Sequence, residues 1–214
     1  MKKIFNICVI LLFVIVLSAC GSTNLESNNN NKEVSIDTIL DNKNNYYLIV
    51  NGLKLKVGDK FSDVLKTGYT VKDNDLSETI PSNRYLLAKS IIGKEEYKAV
   101  FRVIPMNLSN STVTVKDSII GGFEVGDIDY DKLSSELLKQ KIETYGGIKL
   151  GSTYDDMVRV FGTDYEVHES NPDGISDKLT YTVYKYKKSF KGFEFTFDKN
   201  NKLSKIELNN YSFE

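Results

Sequence analysis

The chain has 214 residues, with 28 basic and 29 acidic side chains, 41% hydrophobic and 27% charged. That length holds one medium domain or two small ones. The composition excludes a polytopic membrane protein and a chain disordered along most of its length, and its balanced charge directs no strong field toward nucleic acid.

Lys2 and Lys3 make a positive start, and Ile7 to Leu17 is an unbroken apolar run of 11 residues. Such a run is shorter than the ~20 residues of a spanning helix and suits a signal-peptide core. It ends in Leu17-Ser18-Ala19-Cys20-Gly21, which resembles the bacterial lipobox. The resemblance implies that the Cys20 thiol receives a diacylglycerol and that residues 1–19 are cut away as signal peptide. An ordinary secretory signal or an uncleaved anchor is the alternative. Two acyl chains, at ~0.8 kcal/mol per buried methylene, hold a protein stably on a membrane. The expected location is therefore the cell membrane, lipid-anchored on the extracytoplasmic face. The only other cysteine, Cys8, lies in the segment to be removed, so no disulfide, thiolate nucleophile or cysteine metal site is expected. Loss of Lys2 and Lys3 leaves 26 basic against 29 acidic side chains, a mildly acidic body.

Residues 20–45 read as the lipidated cysteine and a flexible tether. Eight of the 25 residues from Gly21 to Asn45 are asparagine. A flexible chain of that length spans on the order of 25–30 Å. Val34, Ile36, Ile39 and Leu40 could make a short docked element within it.

The remainder contains an internal match at an offset of 93 residues. Leu55-Lys56-Val57-Gly58 aligns with Ile148-Lys149-Leu150-Gly151, and Phe61, Asp63, Val64, Leu65 and Lys66 align with Tyr154, Asp156, Met157, Val158 and Arg159. Each copy predicts a short strand turning at a glycine into a helix. Thr153 and Asp156 have capping-box spacing, and Tyr154, Met157, Val158 and Phe161 share one helix face before Gly162 stops it. In the first copy Lys60 stands where Thr153 does, so Asp59 must cap or the end frays. Strands are expected at 84–92, 97–104 and 112–120, with Pro105 ending the second, and at 179–186, 192–197 and 203–208. Phe193, Phe195 and Phe197 alternate with Glu194 and Thr196, and residues 198–201 supply a hairpin turn. Residues 131–145 read as a connecting helix with Leu133, Leu137 and Leu138 inside, or else as an edge strand. The expected fold class is α+β: repeat unit 1 at 46–128, a connector at 129–146 and repeat unit 2 at 147–214. Each unit should be a short helix packed on an antiparallel sheet of about three to four strands.

Gly151-x-Thr153-x-x-x-Met157-x-x-x-Phe161-Gly162, followed by antiparallel strands, resembles the unit of the small outer-membrane-assembly lipoproteins and of the β-lactamase inhibitory proteins. The likeness covers residues 46–214 and implies helices on one side of an antiparallel sheet whose other side is open. With the lipobox and tether, the whole is most similar to lipoproteins of low-GC Gram-positive bacteria. No inhibitory-loop residue matches, so neither family's activity carries over.

Catalytic groups are sparse. His168 is the only histidine, in an expected loop, and there is no Gly-x-Ser-x-Gly and no phosphate-binding glycine loop. Asp127, Asp129 and Asp131 have the opening spacing of a calcium loop, but Lys132 and Leu138 stand where glycine and glutamate belong. Asp73, Asp75 and Glu78 fail similarly at Arg84. Asp155 and Asp156 are better explained by helix capping than as a glycosidase pair, since neighbours on a helix diverge by about 100°. Lys185, Lys187, Lys188 and Lys191 could meet anionic polymers or headgroups, or guard a strand edge. Tyr184 and Tyr186 are the candidate ligand-contact residues, expected to face solvent on the sheet side opposite a helix. The expectation is therefore a non-catalytic binding or scaffold module with no cofactor and no metal. Its partners would be membrane lipid through Cys20 and a protein or cell-wall component, not nucleic acid. A cell-envelope hydrolase using paired carboxylates, or an inhibitor of a secreted enzyme, are the alternatives.

Overall fold

A computed structural model describes residues 35–71, 73–86, 88–92, 99–127, 133, 135–170 and 181–212. The expected signal peptide (1–19), Cys20 and the asparagine run lie outside these residues. Those described belong to one compact unit, Val34–Glu214.

The first element among the described residues is a helix, α1, at Ile36–Asp41, where a tether is expected. Its Ile39 and Leu40 are buried, because this apolar pair has a sheet face to cover. A hairpin follows, β1 (Tyr47–Val50) and β2 (Leu53–Lys56), turning at Asn51-Gly52, both with positive φ. That is the two-residue turn whose twist matches the strands. Then come β3 (Thr70–Val71), α2 (Asp73–Ser77), β4 (Thr79–Ile80), β5 (Arg84–Tyr85) and β6 (Lys89–Ile92). Next are β7 (Ala99–Asn107), β8 (Val113–Thr114), β9 (Ile119–Gly126), α3 (Ser135–Lys139) and β10 (Ile142–Glu143). The last are α4 (Tyr154–Phe161), β11 (Glu166–Ser170), β12 (Tyr181–Lys188), β13 (Lys191–Asp198) and β14 (Leu203–Asn210).

This corrects the expected α+β class of two helix-on-sheet units. The described protein is mainly strand, with α-helices of only five to eight residues. One antiparallel sheet of nine strands runs β11-β12-β13-β14-β9-β7-β6-β3, with β5 beside β7. Seven of the nine are four residues or longer. β9 and β14 pair over five positions, from Gly126 opposite Lys205 to Gly122 opposite Asn209, so no seam divides the sheet. The two matched segments also fold differently. At Thr153 the capping box closes: Asp156 N–H donates to Thr153 Oγ1 at 3.1 Å, and Thr153 N–H donates to Asp156 Oδ2 at 3.0 Å. Lys60 has no acceptor to offer, and Asp59 Oδ2 instead accepts from Lys56 N–H at 2.8 Å. Phe61–Thr67 accordingly winds as a 3-10 segment without a side-chain cap.

Other expectations shift for local reasons. Pro105 does not end its strand; β7 continues to Asn107 through a register shift at Ile104/Pro105, which accommodates the missing N–H. The strand expected at 112–120 lies mostly later, as β9. Gly122 must be glycine there, since a Cβ would meet Leu208 O at 2.7 Å. The connector is both readings in part, a five-residue helix followed by β10 pairing with β1.

Alternate residues face opposite sides of the sheet. The inner side carries Tyr186, Phe193, Phe195, Ile206, Leu208, Phe123, Val125, Phe101 and Val103. Covering it are Ile39 and Leu40 of α1, Phe61 and Val64 of the 3-10 segment, and Met157 and Phe161 of α4. Tyr46 stacks on Phe193 with centroids 4.8 Å apart, and Tyr46 O–H donates to Leu40 O at 2.9 Å. Asp41 fastens α1 to the β12–β13 hairpin through Lys188 and Lys191, each at 2.7 Å.

Candidate functional site

The outer side of the sheet carries one row of charged side chains across six strands. Reading the register, Glu166 stands opposite Lys185, Lys185 opposite Glu194, Glu194 opposite Glu207, Glu207 opposite Glu124, and Glu124 opposite Arg102. Three glutamates directly side by side repel. Each is therefore matched to a cation: Glu194 to Lys185 at 3.0 Å and Lys187 at 2.7 Å, Glu124 to Arg102 at 3.3 Å, and Glu207 to Lys205. Burial pushes the Glu194 carboxyl up, but Lys187 and Lys185 outweigh it and hold the group below its ordinary value. At one end of this side Tyr85 stacks on Tyr211, centroids 4.5 Å apart, against Gly121.

A cleft of about 420 Å³ opens at the start of α4, lined by Thr153, Tyr154, Asp155, Tyr184, Phe197 and Asn201. Three elements bring its aromatic walls together: α4 supplies Tyr154, β12 supplies Tyr184 and β13 supplies Phe197. Tyr184 meets Phe197 at 5.5 Å with planes 85° apart, and Tyr154 at 5.3 Å with planes 49° apart. Tyr165 backs the group, edge-on to Tyr184 at 4.9 Å and sharing a 2.6 Å hydroxyl hydrogen bond with Tyr154. That hydrogen bond, with lesser burial and neighbouring hydroxyls, pushes the Tyr165 phenol up to about 12. Burial, then Tyr154 and the charge of Glu169, raises Tyr184.

The expected contact residues separate. Tyr184 lines the cleft, but on the helix-covered side rather than the open one. Tyr186 is 1% exposed, packs on Phe161 and donates its O–H to Gly162 O at 2.7 Å, so it offers a ligand nothing. The reason is parity: Tyr184 and Tyr186 share the face of Phe193 and Phe195, which the helices bury. Tyr154, Phe197 and Asn201 were not legible as site residues, because no spacing in sequence links a helix start to a strand end.

His168 lies on β11 rather than in a loop, exposed, with Nε2 3.7 Å from Glu166 Oε2. Asp155 is at the cleft rim, and Asp156 belongs to the cap. Lys188 and Lys191 are engaged with α1, and Lys185 and Lys187 with Glu194. Asp75 and Glu78 both pair with Lys89. Asp127 is exposed and its N–H donates to Ser204 O at 3.0 Å, while Asp129 and Asp131 lie outside the described residues. Among the described residues no group of three or more His, Cys, Asp or Glu could hold a metal ion, and no helix is long and apolar enough to cross a membrane. The chain matches no family model, no curated protein and no solved structure.

Proposed function

We propose that this chain is a lipoprotein, akin to those of low-GC Gram-positive bacteria, held through Cys20 on the extracytoplasmic face of the cell membrane. There it binds or scaffolds a protein or cell-wall partner without transforming it. The Leu17-to-Gly21 motif supports the anchor. In the folded body the reading is carried by the ion-paired row from Lys185 to Arg102. A surface already held by paired charges loses little side-chain freedom when a partner arrives. A carboxylate pair that cleaves glycosides needs one acid with a raised pKa, and Lys185 and Lys187, which hold Glu194 below its ordinary value, unsuit Glu194 alone for that part.

The test is fractionation of the Cys20→Ala variant, together with pull-down from solubilised envelopes by the intact chain. Expected are release of the variant from membranes and recovery of a specific partner that the Glu194→Lys variant loses. Unchanged fractionation, or turnover of a wall or peptide substrate with no partner recovered, would overturn the proposal.

A further inference from the structure

We infer that the end of the sheet carrying Phe190 and Leu108 rests on a lipid bilayer surface, with the Phe190 ring dipped into its interface. This rests on the reading of a Cys20 anchor and gives the anchored body an orientation. Among the described residues Phe190 is the most exposed large hydrophobic side chain, at 69%. It sits in the two-residue turn between β12 and β13, after Ser189, whose φ is 55°. Such a turn favours asparagine and glycine, as at Asn51-Gly52, and asks for no aromatic ring. The fold makes no use of the ring either, since Phe190 is not among the side chains packed in or against the core. Its backbone is nevertheless held: Tyr211 N–H donates to Phe190 O at 2.9 Å.

A single exposed ring is ordinary on a protein surface, but two further observations converge on this end. Lys191 stands opposite Asn210, Asn209 opposite Gly122, and Met106 opposite Ile119, so the β12–β13 turn shares its end of the sheet with the end of β7. There Leu108, 42% exposed, follows Asn107, and Tyr85, 53% exposed, lies opposite Met106. β13 and β7 are three strands apart, about 14 Å, so one surface meets both. The turn at the other end of β13, Asp198 to Asn201, is polar. The anchored segment also enters the fold here. Ser35, the first described residue, comes 15 residues after Cys20, a span of about 50 Å at full extension. Two residues on, Asp37 pairs with Lys188 at 3.2 Å, and Asp41 pairs with Lys188 and Lys191, the two lysines flanking the turn. A bilayer holding Cys20 is thus joined to the body beside Phe190. The same acids neutralise the two lysines, so the contact needs no anionic lipid. One ring binds a bilayer weakly, but attachment through Cys20 raises its effective concentration at the surface and makes a weak contact count.

The experiment uses the full chain, reconstituted from maltoside detergent into phosphatidylcholine vesicles whose lipid is brominated in the upper part of its acyl chains. The chain has no tryptophan, so Phe190→Trp, Leu108→Trp and, at the far turn, Asn200→Trp each install a sole reporter. Bromine should quench the emission of Phe190→Trp and Leu108→Trp about twofold or more beyond that of Asn200→Trp, as burial at the headgroup boundary requires. Either of the first two decides if the other fails to fold. Equal quenching of all three, or none, would overturn the inference. So would quenching that appears only when phosphatidylglycerol is added, which would assign the contact to the lysines. Blue-shifted Phe190→Trp emission without bromine quenching would place the turn against protein and overturn it too. Flotation with the vesicles reads the anchor separately: a chain that floats unquenched sinks this inference alone, and one that does not float sinks both.

Discussion

Tyr46 lies nearly flat on Phe193, ring centroids 4.8 Å apart and planes 18° apart, joining the chain's first ring of the core to one near its end. Tyr46→Ala should cost about 3–5 kcal/mol, the range for emptying a large aromatic site. Tyr46→Phe keeps the stack and loses only the hydrogen bond to Leu40 O, a loss of about 1 kcal/mol. Urea unfolding of the two variants separates stacking from hydrogen bonding.

Asp41 gives α1 a pH limit. Hydrogen bonds from Lys188 and then Lys191 hold its carboxyl below the ordinary value. A group with a lowered folded pKa contributes above the unfolded value, and the contribution is lost as pH falls through the folded one. Hydrogen exchange should therefore show α1 losing protection in acid, below pH about 4, before the sheet opens. Asp41→Asn should show the same local loss at neutral pH.

The two matched segments predict opposite substitutions. Thr153→Ala removes a working cap and should destabilise by about 1 kcal/mol. Lys60→Thr places a hydroxyl three residues before Asp63 and recreates the missing pattern, so it should stabilise by about 0.5–1 kcal/mol. Thermal unfolding should show midpoints moving in opposite directions.

Gly122→Ala tests the junction of β9 and β14. Its Cβ would press on Leu208 O at 2.7 Å and on Asn209 Cβ at 3.0 Å. The expected loss is about 1–3 kcal/mol by overpacking. Gly52→Ala has open space around it and fails only through its positive φ of 89°, at a cost of about 1 kcal/mol. Denaturation midpoints of the two variants give the comparison.

Local signals in the sequence were legible and long-range ones were not. Thr153 with Asp156 marked the start of α4 because a cap is written within four residues. The Phe193–Phe197 alternation marked β13 for the same reason. Which face α4 covers is not written locally, so the sequence places Tyr186 in solvent though it lies beneath Phe161. β11 carries no such signal, because Glu166, His168 and Glu169 are exposed edge residues without the apolar alternation that identifies an inner strand. Asn51-Gly52 is a strong hairpin signal, but the asparagine-rich stretch before it reads as tether. The charged row exists only once six strands are in register, and the cleft only once α4 sits against β12 and β13.

The ion pairs of Asp41 join residues 147 and 150 positions apart in the chain. An elongating polypeptide, emerging amino end first, has Ile39, Leu40 and Tyr46 outside long before Phe193 and Lys188 follow. No truncated product ending before β12 can cover those three side chains as the finished protein does. Native burial of α1 thus waits on β12 and β13, and premature termination would leave a sticky stretch around α1 for proteases or holding chaperones to find.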